Sequence, residues 1–264
     1  MLWWLAYVLL GAFVGFLAGL LGIGGGMTMV PVLAALFSAQ SLSSEHAVHL
    51  ALGTGMAAAM VTTVASVREH HRHGAIDWSM VKRIVPGTVA GTLLSTVASG
   101  WIPQRVLALA FALIVYGGAV QILLGRKPTG EHKLPKTPVL VSVGLAIGAI
   151  SGLVAAGGAF LVVPFMMYCG VQMRSAIASS AAVALPVATI GTIGYVISGL
   201  RAGGLPDHSL GFVYVPALIA IVIASVLTAP MGARATHRLP VVTLRRVFAG
   251  LLFILATKML VSYW

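Results

Sequence analysis

Apolar residues run through this chain in blocks longer than a soluble fold requires. Met1 to Ser44, Val139 to Gln172 and Ser175 to Leu200 contain no Asp, Glu, Lys or Arg. About 20 apolar residues in a helix cross the hydrocarbon core of a bilayer. A membrane barrel would instead alternate polar and apolar residues over about ten positions. Capping and breaking signals divide the chain into ten hydrophobic segments, at 3–21, 27–42, 47–67, 79–99, 104–124, 138–155, 160–172, 175–198, 210–230 and 241–262. The pattern predicts an all-α polytopic membrane protein.

The two halves of the pattern match. Gly11, Gly15, Gly19, Gly24, Gly25 and Pro31 correspond at one constant offset to Gly144, Gly148, Gly152, Gly157, Gly158 and Pro164. Further on the offset shortens. "ALGTG" (51–55) then falls opposite "AIASS" (176–180), Gly74 opposite Gly199, and Pro103 corresponds to Pro240. The sequence therefore reads as an internal duplication. Residues 1–125 form a first transmembrane repeat, 126–137 a basic cytoplasmic linker, and 138–264 a second repeat.

Charge decides how the repeats face. With five segments per half the second repeat is inverted, and loops 67–83, 125–137, 173–174 and 231–246 share one side. That side then holds every base of the 16 Lys and Arg except Arg105, Arg201 and Lys258. The alternative, one continuous helix through each glycine cluster, gives four crossings per half and a less one-sided distribution. The positive-inside rule favours five and puts both termini on the non-cytoplasmic side. A single helix from Trp3 to Ala39 would also be about 55 Å long, far more than a bilayer core needs.

Composition agrees. The chain is 264 residues long, 59% hydrophobic and 8% charged, with a net charge of +11. Soluble domains carry roughly 25% charged residues. In a soluble protein the basic balance would suggest nucleic acid; here it follows from topology, and no nucleic-acid partner is expected. The single Cys169 reads as a small core residue.

The candidate chemistry lies where the helices break, in "GLLGIGGGMTMVP" (19–31) and "GLVAAGGAFLVVP" (152–164). The segment after each break is short, which fits half-membrane or re-entrant helices. A helix that starts at Met27 or near Phe160 leaves its first N–H groups unpaired, with about half a positive charge at that end. Gly24, Gly25 and Gly26 before one start, and Gly157 and Gly158 before the other, would let an anion reach those groups. Thr28, Thr54, Ser151, Ser179 and Ser180 could add hydroxyl donors. Gly11, Gly15, Gly19, Gly144, Gly148 and Gly152, four apart, read instead as helix-packing positions. Broken helices at an inverted-repeat interface are a known plan for transporter sites.

Several of these stretches resemble the sulfite exporter TauE/SafE family, also called the toluene-sulfonate uptake permease family. They are "GFLAGLLGIGGGMTMVPVL", its partner "GAISGLVAAGGAFLVVPFM", "ALGTG" with Gly74 in "EHHRHGAIDW", "PGTVAGTLLS" and "GARATHRLPVVTLRRVFAGLLFILATKML". The resemblance implies a bacterial inner-membrane carrier, an exporter by the family's name, of small sulfur-containing or organic anions such as sulfite, thiosulfate or sulfonates. Two departures stand out. Thr54 is followed by Gly55 where the family often has serine, and Ala159 stands where the first break has Gly26.

His70, His71 and His73 read as an interfacial anchor. His46 and His49 lie on one face at the start of a segment, and His49 is a candidate for coupling protons. Arg174 could draw anions to the inner mouth. No enzyme signature is present, no metal and no cofactor are called for, and the expected partners are a small anion, the bilayer and a second copy of the chain as a homodimer. A transition-metal or other cation carrier using His46 and His49 is the alternative reading.

Overall fold

A computed structural model of the chain describes residues 2–21, 26–43, 45–124, 135–155, 158–235 and 241–263. The first half contains α1 (Leu2–Leu21), α2 (Gly26–Ala39), α3 (Ala47–Arg72), α4 (Trp78–Ala98) and α5 (Gln104–Leu124). The second contains α6 (Thr137–Val154), α7 (Ala159–Tyr168), α8 (Met173–Leu200), α9 (Val215–Ala235) and α10 (Val241–Tyr263). Each of the ten segments expected from the apolar pattern contains a helix, and each half has its short second element. Among the described residues, five helices are long and apolar enough to cross a membrane: α3, α5, α6, α8 and the Arg246–Tyr263 part of α10.

Local chemistry sets many of the ends. The Asp77 side chain accepts from Met80 N at 3.1 Å and caps α4. Pro138 sits in the first turn of α6, where its missing N–H costs nothing. Pro31 and Pro164 occupy the same place, the sixth residue, of α2 and α7. Each removes the N–H that would bond the carbonyl of Met27 or Phe160.

The main helix pairs are kept when the halves are exchanged, although α2 also packs on α10. α1 lies along α9 and α6 along α4; α3 packs on α8 and α5 on α10; α2 rests on α3 and α7 on α8. Small residues make the closest crossings. A Cβ on Gly11 would meet Ile221 O at 2.6 Å, and one on Gly144 would meet Ile84 O at 2.6 Å. One turn on, Gly15 faces Ser225 and Gly148 faces Thr88. Such separations leave no room for any side chain. Lipid tails are as apolar as a helix surface, so helices in a membrane are held by this close backbone approach. The packing role expected for these glycines is thus what the structure shows; Gly19 is helical.

Two expectations change. The segment 210–230 does not begin as a helix: Ser209–Leu210 (β1) and Val213–Tyr214 (β2) form a small antiparallel hairpin before α9. Gly199, set opposite Gly74 by spacing, lies inside α8. The structural counterpart of Gly74 (φ 61°) is Gly211 (φ 55°), since each is a left-handed turn three residues before the residue that leads into α4 or α9. The second half therefore carries an insertion, 201–210, that constant spacing hides. That insertion delivers Phe212 to the core, fully buried, with its backbone against Gly53 and Gly199.

Gly148→Val should lower the melting temperature of purified protein sharply, because its Cβ would lie 2.1 Å from Thr88 O. Gly117→Ala, at a helical position with nothing within 4 Å, should leave stability unchanged or raise it by up to about 1 kcal/mol. Thermal unfolding in one detergent compares the two.

Candidate functional site: two helix breaks that meet

The second break is described almost in full. α6 ends at Ala155, which is left-handed (φ 51°), and Gly158 (φ 79°) caps α7. Gly158 O accepts from Leu161 N at 3.0 Å and Val162 N at 2.9 Å. A Cβ on Gly158 would lie 3.0 Å from Ser151 Oγ, and its φ favours glycine. At the first break, Gly26 is the buried first residue of α2 and Thr28 is buried beside it. Gly24, Gly25 and Gly157 lie outside the described residues.

The two breaks come together against glycines on α3 and α5. A Cβ on Gly118 would be 3.7 Å from both Met27 Cε and Phe160 Cδ2, side chains at the starts of α2 and α7. A Cβ on Gly55 would be 3.1 Å from Val30 Cγ2 and 3.7 Å from Ala155 Cβ. Gly55 is the position that departs from the family pattern, and it lies where both broken elements close on α3. Gly118 carried no signal in the sequence, because a glycine within "YGGAV" reads as ordinary helix packing.

The hydroxyls divide into two kinds. Ser151 Oγ donates to Ile147 O at 2.6 Å and Ser180 Oγ to Ile177 O at 2.7 Å, so both protons are used within their own helices. Thr54 and Ser179 behave differently and alike. Tyr214 N donates to Thr54 Oγ1 at 3.0 Å, and Asp77 N donates to Ser179 Oγ at 2.9 Å. Tyr214 leads into α9 and Asp77 into α4, so each hydroxyl holds the entry of a helix from the other half. As acceptors, Thr54 and Ser179 each keep a proton to donate. Both are fully buried. Sequence reasoning placed these hydroxyls but not their partners, which lie 160 and 102 residues away.

The remaining sequence candidates lie apart from this centre. Arg174 is exposed in the first turn of α8. His49 is buried on α3, about 7 Å along the helix from Thr54 at 1.5 Å per residue. Cys169 is buried and free at the end of α7. Among the described residues, no three His, Cys, Asp or Glu side chains group to hold a metal ion. The polar groups at the breaks are neutral: helix N–H groups, carbonyls and hydroxyls.

A sequence model of the family described as "Sulfite exporter TauE/SafE" matches residues 7–259. The chain belongs to this family. A probable membrane transporter protein of Haemophilus influenzae is 33% identical over 253 residues, covering 96% of each chain. The probable membrane transporter protein YdhB of Bacillus subtilis is 26% identical and spans 88% of this chain and 89% of its own. A relative of the same description from Methanocaldococcus jannaschii is 22% identical over 96% of this chain and 94% of its own. Matches of this extent to a TauE/SafE model and to transporters make the chain a membrane transporter of that family.

Thr54→Val should destabilise the protein by about 1–3 kcal/mol, since it leaves Tyr214 N–H buried without an acceptor. Thr54→Ser should restore most of that loss. Thermal unfolding of the two variants beside the native protein checks both.

Proposed function

We propose that the protein carries small sulfur-containing or organic anions, such as sulfite, thiosulfate or sulfonates, across the bacterial inner membrane by alternating access. The supporting observation is that the starts of α2 and α7 approach the same glycine, Gly118, while α2 and the end of α6 approach Gly55. Each start points N–H groups and a partial positive charge at what lies before it. An oxyanion is stabilised there by neutral donors. Thr54 and Ser179 supply O–H donors at equivalent places in the two halves. The family's name, sulfite exporter, favours sulfite among the anions and export as the direction.

The symmetry favours a moving mechanism. In the proposed topology the halves invert, with 1–125 and 138–264 as the repeats and both termini on the non-cytoplasmic side. The entry of α9 is held to α3 by Thr54, and the entry of α4 to α8 by Ser179. Releasing one hold while keeping the other would open the centre to one side at a time. Arg174 and the other bases of the cytoplasmic face would gather anions at the inner mouth.

Proteoliposomes loaded with labelled sulfite, thiosulfate or an aryl sulfonate should release at least one of them faster than empty-lipid controls. Gly158→Val should cut that flux at least about tenfold, equivalent to about 1.4 kcal/mol. No flux above controls for any of the three, or native flux in a folded Gly158→Val protein, would rule out this reading.

A further inference from the structure

The most unusual polar group outside the helix breaks is His49. Its ring is buried, and its Nε2 lies 3.0 Å from Ser99 O and 3.2 Å from Ile102 O. Both neighbours are carbonyls, which only accept, so Nε2 carries the hydrogen. In the neutral ring Nδ1 is then a bare lone pair. That Nδ1 is buried and has no hydrogen-bond partner among the described residues. A native fold rarely leaves such an atom unused.

The surroundings define what Nδ1 can take. The His46 ring stands edge-on at 5.5 Å, and its Nδ1 is likewise buried without a partner. The Phe212 ring lies against His49 at 4.9 Å. Ionisable groups on the neighbouring elements are Glu45 beside His46, Arg105 on α5, Tyr195 on α8, and Arg201, Asp207, His208 and Tyr214 in and after the inserted loop. Glu45, Arg105, Arg201, Asp207 and His208 are exposed. The Tyr195 hydroxyl donates to Gly152 O. Among the described residues the two imidazoles have no third ligand, which makes a poor metal site, and no carboxylate stands against the ring to hold a permanent charge. A single proton fits.

We propose that His49 Nδ1 is the proton-binding site of the transport cycle, taking one proton with the anion. This rests on the anion-carrier reading above. The proton enters the Nδ1 lone pair and makes an imidazolium that donates from both nitrogens: Nε2–H stays on Ser99 O and Ile102 O, and Nδ1–H needs a new acceptor. The added charge offsets one negative charge of the anion, so a monoanion such as an aryl sulfonate crosses as a neutral load and a dianion with one charge fewer. A physical link to the centre already exists. His49 packs on Phe212, Phe212 backbone packs on Gly53, and two residues on Tyr214 N bonds Thr54 Oγ1. A shift of the His49 ring therefore moves the hairpin that holds the candidate site.

Nitrogen-15 spectra of histidine-labelled protein in nanodiscs test the site without any substrate. His49 follows Val48, and no other histidine in the chain follows a valine, so labelling valine carbonyl and histidine nitrogen picks it out in the native protein. The expected result is an Nε2–H tautomer at about pH 8 that gains a proton at Nδ1 on acidification to about pH 5. An Nδ1–H tautomer at the upper pH, or an unchanged ring down to the lower one, would overturn the proposal.

Coupling is read in proteoliposomes with an aryl sulfonate, which stays ionised throughout this range, so any proton must ride on the protein. A gradient of one pH unit should change native flux by up to about tenfold. His49→Gln keeps a donor for the two carbonyls, should transport, and should respond less than about twofold. Native flux indifferent to the gradient would overturn coupling. Absence of flux for every anion would remove the anion-carrier reading and the coupling with it, while the spectra still decide whether Nδ1 binds a proton.

Discussion

In hydrocarbon, a peptide group without a hydrogen bond has nothing to turn to. This constraint governs the whole molecule. A chain that interrupts its helices within the bilayer must bury each interruption in protein or in a wet cavity. Here the two interruptions approach the same glycines of α3 and α5, and α7 packs on α8. The outer helices, with exposed residues such as Leu9, Leu113, Ile223 and Val261, carry the apolar surface toward lipid. The breaks are thus the expensive part of the fold, and the rest of the architecture shields them.

Glycine does two separate jobs in that shield. Along α1 and α6 it removes side chains so that α9 and α4 approach backbone to backbone. At Gly158 it supplies a left-handed cap that turns the chain into α7. The first job is a matter of volume and the second of backbone conformation. Both fall on the same short stretches of sequence, the stretches where the two halves align at one offset.

The hydroxyl holds connect this scaffold to movement. Thr54 and Ser179 each accept a backbone N–H from the opposite half, so each half is closed by the other. A carrier needs two arrangements of similar energy, with small discrete contacts that can be exchanged between them. Single hydrogen bonds, worth about 1 kcal/mol net, suit that purpose better than a packed core, which moves only as a block. The His49 ring, wedged between the Ser99–Ile102 corner and Phe212, lies on the same line of contact.

Much of this was legible in the residues alone. Ten helices, two short ones, their boundaries within a few residues and the doubled plan all follow from apolar run length and glycine spacing, because helix length and backbone approach are local or periodic properties. The site was legible only in outline. Gly158, Thr54 and Ser179 stand out by their place in the repeat, yet nothing in a linear pattern showed that Ser151 and Ser180 spend their protons on their own helices. Nor did it show that Gly55 and Gly118 receive both breaks, or that an insertion at 201–210 carries Phe212 and Tyr214 into the core. Hydrogen-bond partners over a hundred residues apart are set by how whole helices dock, and docking depends on three-dimensional shape that no periodicity encodes.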